Sequence, residues 1–138
     1  MTTHDYAALI KAAQNARERA YAPYSRFAVG AAALTASGEV FLGCNIENAA
    51  FPVTCCAERV ALFAAFAANQ REIVALAVAA DTHGPVSPCG SCRQVIFELA
   101  PRATVILVNL GDALAMTTPA ELLPGGFTPD NLPARQLS

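Results

Sequence analysis

The sequence predicts an α/β protein, three layers in the order α/β/α, around a mixed sheet of about five strands. Three observations carry that expectation. Apolar residues recur at helical spacing from Tyr6 to Ala20. Two β-type runs, 27–35 and 40–45, flank a tight turn, and a strand–helix–strand pattern begins at Ile73. A tight turn joins antiparallel strands, whereas strand–helix–strand needs a right-handed parallel crossover. The sheet is therefore mixed, with helices on both faces.

Taken in order, Tyr6, Leu9, Ile10, Ala13 and Ala20 share one helical face, and Pro23 ends that helix. Phe27 to Thr35 reads as a strand, Ala36-Ser37-Gly38-Glu39 as a turn, and Val40 to Asn45 as the hairpin partner. A second helix is expected from Thr54, as N-cap, to about Asn69. Ile73 to Asp81 is an apolar run of strand length that Gly84-Pro85 interrupts. Pro88 opens a third helix ending near Leu99, and Thr104 to Asn109 is another strand. A short strand near Met116, a helical turn over Ala120 to Leu123 and an irregular tail carrying Phe127 complete the chain.

At 138 residues the chain suits one domain, residues 1–138, with a single core. Apolar residues make up 54% and charged residues 14%, so little of the surface is charged and part of it is expected to lie under another subunit. The formal charge is -2, with eight arginines and one lysine dispersed along the chain. No basic run follows a phosphate backbone, which argues against a nucleic acid partner; Arg17, Arg19 and Arg26 read as a solvated helix end and loop.

The first residues lack a basic, then apolar, leader, and an uncharged run such as Val60 to Gln70 is too short to span a bilayer. A cytoplasmic location without a membrane partner follows as the expectation. In that compartment the five cysteines stay reduced, which favours metal binding or catalysis over disulfides.

Two segments concentrate the chemistry: Thr54-Cys55-Cys56-Ala57-Glu58-Arg59 and Ser87-Pro88-Cys89-Gly90-Ser91-Cys92-Arg93. Cys89 and Cys92, three apart at a helix start, can aim both sulfurs at one point. Cys56 opens another helix, two residues before Glu58. Helix N-termini favour thiolates, so two of them converging on one Zn2+ would help hold it. Cys44 and Cys55 read as small buried hydrophobes, Cys55 turned away from the metal. His4 and His83 lack ligand spacing and read as surface residues.

A Cys-x-Glu segment followed by Pro-Cys-x-x-Cys resembles the zinc deaminases. Wider matches narrow the resemblance to the small homotetrameric cytidine deaminases. They include Tyr21-Ala22-Pro23-Tyr24-Ser25, Val29-Gly30-Ala31, Gly43-Cys44-Asn45-Ile46-Glu47-Asn48-Ala49, Cys56-Ala57-Glu58-Arg59 and Leu122-Leu123-Pro124-Gly125. Ala28, Phe51, Pro52 and Cys55 depart from the pattern, and none of them is a ligand.

The resemblance implies a cytidine deaminase-like fold, one Zn2+ per subunit on Cys56, Cys89 and Cys92, and hydrolysis of cytidine and deoxycytidine to uridine and deoxyuridine. Glu58 would shuttle protons from the activated water to the pyrimidine and to departing ammonia. Three thiolates leave the zinc site formally anionic, and Arg59 would offset that by donating to the sulfurs; its plainer reading is a surface arginine.

Asn45 and Glu47 would bind ribose hydroxyls, sharing one side if their strand continues that far. Ala49 and Phe51 would complete substrate binding. Phe27 reads equally as core or as a contact to the base. Phe127 would close a neighbouring subunit's pocket in a homotetramer. Other readings are a deaminase of another aminopyrimidine nucleoside, such as a nucleoside antibiotic, and a structural zinc module, which would need a fourth ligand. A polynucleotide-editing deaminase would need an aromatic-lined basic groove, and the sequence suggests none.

Overall fold

Small apolar residues alternate along the central strands, and each set of alternating residues meets its own layer of helices. The computed structural model describes residues 6–133. Its elements are α1 (Ala7–Ala16), β1 (Val29–Thr35), β2 (Val40–Cys44), α2 (Ala57–Ala67), β3 (Ile73–Ala80), α3 (Gly90–Leu99), β4 (Thr104–Val108), β5 (Leu114–Thr117) and α4 (Pro119–Leu122).

The five strands lie in the order β2-β1-β3-β4-β5. β1 pairs antiparallel with both β2 and β3, β3 and β4 are parallel across α3, and β5 returns antiparallel along β4. The mixed sheet expected from the hairpin and the crossover is the one observed.

Ala31 and Ala33 of β1, Leu76 and Val78 of β3, and Val105 and Leu107 of β4 join the core beneath α2 and α3. The intervening Ala32, Ala75, Ala77, Ile106 and Val108 pack with Tyr6, Leu9 and Ala13 on the α1 side. This period-two split makes the three layers. Glycine sets the close approach of helix to sheet on both faces. A Cβ at Gly30 would stand 2.0 Å from the Ala13 carbonyl oxygen, and one at Gly43 2.2 Å from that of Ala57. Gly43 thus lets the first turn of α2, which carries the glutamate of the Cys-x-Glu segment, sit directly on β2.

Several boundaries differ from the sequence expectation. α2 starts at Ala57 rather than beside Thr54, because Cys55 is held extended by reciprocal backbone bonds with Ile46, both 2.9 Å. The Thr54 hydroxyl is engaged elsewhere, accepting the Asn48 N–H at 3.1 Å. α3 likewise starts at Gly90 rather than at Pro88. The first helix narrows to a 3₁₀ turn over Arg17–Arg19, where the Arg17 Nε donates to the Ala28 carbonyl at 3.1 Å.

β2 stops at Cys44, one residue short, and the Asn45 side chain takes over from the backbone ladder. Its Oδ1 accepts the Val29 N–H at 2.8 Å and its Nδ2 donates to the Phe27 carbonyl at 2.7 Å. Residues 60–67 of α2, which carry no charge, bury only one side in the single chain. Ala61, Leu62 and Ala65 are buried, while Phe63 is 46% exposed.

Candidate active site

α2 and α3 bring their N-termini together on one side of the sheet, near the carboxyl end of β3, where ligands bind open α/β sheets. The residue immediately ahead of each helix is a cysteine in extended conformation: Cys56 before α2 and Cys89 before α3. Cys92 follows in the first turn of α3 and is fully buried. The three sulfurs lie within 4.8 Å of one another, with Cys56 to Cys89 at 3.9 Å and Cys89 to Cys92 at 3.2 Å. Tetrahedral thiolates about 2.3 Å from zinc would sit roughly 3.8 Å apart, so the donor set fits that ion. Among the described residues no further cysteine, histidine or carboxylate joins the cluster, which leaves a fourth position open.

The cluster is already polarised towards the thiolate. A hydrogen bond from the Cys92 thiol, aided by Arg59, draws the Cys56 thiol down to about 5, while giving that bond, together with burial, pushes Cys92 well up. The Arg59 guanidinium donates to the Cys56 sulfur at 3.5 Å and to the Thr54 carbonyl at 3.2 Å, and its pKa is raised by the sulfur bond. Its Nε is buried with no hydrogen-bond partner among the described residues.

A cavity of about 260 Å³ opens in front of the sulfurs. Glu58, only 4% exposed, lines it, and burial raises its carboxyl above the ordinary range. A buried carboxyl of raised affinity is suited to taking up and returning a proton. Phe27 is on the cavity wall rather than in the core, and Asn45 and Glu47 both face the same space although β2 ends before either.

With two of its four hydrogen-bonding positions spent on Val29 and Phe27, Asn45 keeps one donor and one acceptor. The Glu47 carboxylate accepts the Ser25 hydroxyl and the backbone N–H groups of Tyr24 and Ser25, at 3.0 and 3.1 Å. The Ser25 hydroxyl bond is the main cause holding its pKa low.

Other expected site residues lie apart. Ala49 is exposed and outside the cavity, because the Asn48 side chain turns the chain there by accepting the Ala50 N–H at 2.9 Å. Phe51, 71% exposed, stands edge-on to Tyr24 at 5.9 Å in an adjoining open groove. Phe127 is 52% exposed and does not reach its own chain's cavity.

Cys55 and Cys44 are half-buried outside the cluster, their thiols raised by burial. His83 is exposed, and His4 lies outside the described residues. Sequence reasoning assigned no role to Ser25, which fixes Glu47, or to Asn109, whose Nδ2 donates to the Thr82 and His83 carbonyls in the loop after β3. An asparagine between strand and turn was the available signal for the second.

The family model of the cytidine and deoxycytidylate deaminase zinc-binding region matches residues 3–108. A cytidine deaminase of Halalkalibacterium halodurans is 55% identical over 90% of this chain and 95% of its own length. The chain belongs to the cytidine deaminase family. A cytidine deaminase of Sporosarcina psychrophila is 52% identical over 93% of this chain and 95% of its own length. Among solved structures, the Burkholderia pseudomallei cytidine deaminase superposes with a TM-score of 0.86 at 52% identity, covering 92% of this chain and all of that one. Membership agrees with the zinc-type donor set and with the five-stranded mixed sheet.

Proposed function

We infer that this protein hydrolyses cytidine and deoxycytidine to uridine and deoxyuridine with release of ammonia, a step of pyrimidine salvage. The observation that carries the reading is the juxtaposition of three sulfurs within 4.8 Å and the buried Glu58 on one nucleoside-sized cavity. When bound, zinc supplies a water acidic enough to ionise near neutral pH. Cys56, Cys89 and Cys92 would hold the ion, and Arg59 would draw charge from the Cys56 sulfur.

With the ion bound, Glu58 would take up one proton of the hydrolytic water and pass it to the ring nitrogen of the pyrimidine. The water oxygen would end on the carbon that loses the amine, and Glu58 would carry the second proton of that water to the amine as the carbon–nitrogen bond breaks. Water and cytidine become uridine and ammonia, and the carboxylate returns to its starting state. Phe27 offers its ring to the base, while Asn45 and the ionised Glu47 offer polar atoms to the sugar hydroxyls. Ala49 and Phe51 remain part of the proposed substrate contacts through the assembled enzyme rather than through the single chain.

The charged side chains on the cavity wall are the carboxylates Glu47 and Glu58. A phosphate on the sugar would meet like charge there, which supports a nucleoside over a nucleotide substrate. The same lining, lacking Arg and Lys, is unlike a strand-binding groove. The broad exposure of Phe51, Phe63 and Phe127 supports a homotetramer. No helix of the described residues is long and apolar enough to cross a membrane, consistent with the cytoplasmic location we propose.

The test is ammonia release from cytidine, deoxycytidine and other aminopyrimidine nucleosides by the zinc-loaded protein, with and without a chelator. Chelator-sensitive release from the first two is expected. No release from either by fully zinc-loaded protein overturns the reading.

A further inference from the structure

Cys92, Arg93 and Gln94 are consecutive on the first turn of α3, yet they serve three different parts of the chain. Cys92 belongs to the sulfur cluster. The Arg93 guanidinium donates through Nε to the Pro88 carbonyl at 2.9 Å and through Nη2 to the Ser87 hydroxyl at 2.7 Å. Its Nη1 donates to the Leu122 carbonyl, at the end of α4, at 2.8 Å. Gln94 donates from Nε2 to the Phe127 carbonyl at 2.9 Å. The segment between those two carbonyls also hugs α3: a Cβ on Gly126 would stand 3.0 Å from Phe97 Cδ1, and Gly125 turns the chain with φ +68°.

We propose that Arg93 is a positioning residue that fastens the metal loop 87–89 to the segment 119–127, so that zinc retention and docking of that segment are coupled. The proposal rests on the zinc site described above. Pro88 immediately precedes the ligand Cys89, and the Leu122 carbonyl, in the last turn of α4, lacks an onward helical partner. A planar guanidinium holds its donors in fixed mutual geometry, so displacing either carbonyl strains the bond to the other. Zinc fixes Cys89 and with it the Pro88 carbonyl, and thereby favours the docked segment. By reciprocity, the docked segment favours retention of zinc. Gln94 secures only the far end of the segment, at Phe127, and touches neither Ser87 nor Pro88 in this way.

The experiment uses the full-length zinc-loaded chain and two readouts: zinc release to a chelating indicator, and the rate at which a protease cuts residues 119–133. Arg93→Lys keeps the charge but loses the fork, and is expected to release zinc about tenfold faster, the equivalent of one charge-assisted hydrogen bond. Its tail is also cut faster. Gln94→Ala is expected to speed cleavage only near Phe127, while the 119–122 end stays fastened by Arg93 and zinc release stays at the unmodified rate. Stripping zinc from the unmodified chain is expected to speed tail cleavage as well, an arm that does not depend on any variant folding. Zinc release from Arg93→Lys at the unmodified rate, or tail cleavage insensitive to zinc in the unmodified chain, overturns the proposal. Neither readout involves a nucleoside, so failure to deaminate cytidine would overturn the proposed activity and leave the coupling standing.

Discussion

Cys56 and Cys89 are 33 residues apart in sequence and 3.9 Å apart at their sulfurs, and each is the residue immediately before a helix. The two helix N-termini stabilise negative charge on these sulfurs from both sides, and Cys92 completes the triangle from within the second helix. Because the donors assemble only in the folded chain, zinc binding favours folding. Cys89→Ala or Cys92→Ala is expected to lose zinc. Where zinc stands at a thousand times its Kd the loss is about 4 kcal/mol, or roughly 10–15 °C in Tm. Elemental analysis beside thermal melts checks this, and full zinc occupancy in either variant removes that residue from the ligand set.

Glu58 separates activity from stability. Its carboxyl is 4% exposed and raised by burial, so an ionised form there opposes folding. Glu58→Gln keeps the shape, removes the titrating proton and leaves the three sulfurs in place. Turnover is expected to fall by roughly a hundredfold to ten-thousandfold, with zinc content unchanged and Tm equal to or above the unmodified value. Turnover near the unmodified rate would exclude Glu58 as the proton carrier.

The metal cluster and Glu58 were legible in the sequence because their spacing is local: each helix start brings its own ligands, and only the meeting of the two needs the fold. The five-stranded sheet was legible for the same reason, since period-two alternation and a tight turn at Gly38 specify pairing without distant contacts. The polar framework was not. Asn45 looks like a residue at a strand end, and only the register of β1 against β2 places its amide between Val29 and Phe27. The Ser25–Glu47 contact joins residues 22 apart in sequence, across the whole β1–β2 hairpin. The start of α2 was misplaced because Thr54 has the chemistry of an N-cap, and nothing local reveals that Ile46 holds Cys55 extended.

Arg59 bridges the first ligand and the strand-like segment ahead of it, through the Cys56 sulfur and the Thr54 carbonyl. Removing it leaves anionic sulfurs less compensated without opening the substrate side of the cavity, whose lining does not include Arg59. Arg59→Ala is expected to lower kcat by about tenfold to a hundredfold, the range for losing a hydrogen bond to a charged group, with a smaller change in KM. Steady-state kinetics with metal analysis distinguishes the outcomes. A normal kcat at normal zinc content makes Arg59 an ordinary surface residue.

Assembly is the last prediction, and it follows from where the large apolar side chains are exposed. Residues 60–67 of α2 carry no charge, and Phe63 stands 46% exposed. Phe51 is 71%, Val53 64% and Phe127 52% exposed. Burying one such phenylalanine is worth about 1.5–3 kcal/mol, and four large apolar side chains left exposed on one small chain are area that further copies can cover. An alanine-rich helix tolerates solvent on its outer face, which explains the small residues of α2 but not the aromatic ones. A symmetric self-contact covers them with a single repeated surface. In that arrangement Phe51 and Phe127, which do not reach their own cavity, are free to close a neighbour's and exclude water from the nucleoside. Light scattering is therefore expected to give four times the chain mass, and Phe127→Ala to raise KM while the metal content holds. A monomer that keeps full activity on dilution would contradict both the assembly and the shared pocket.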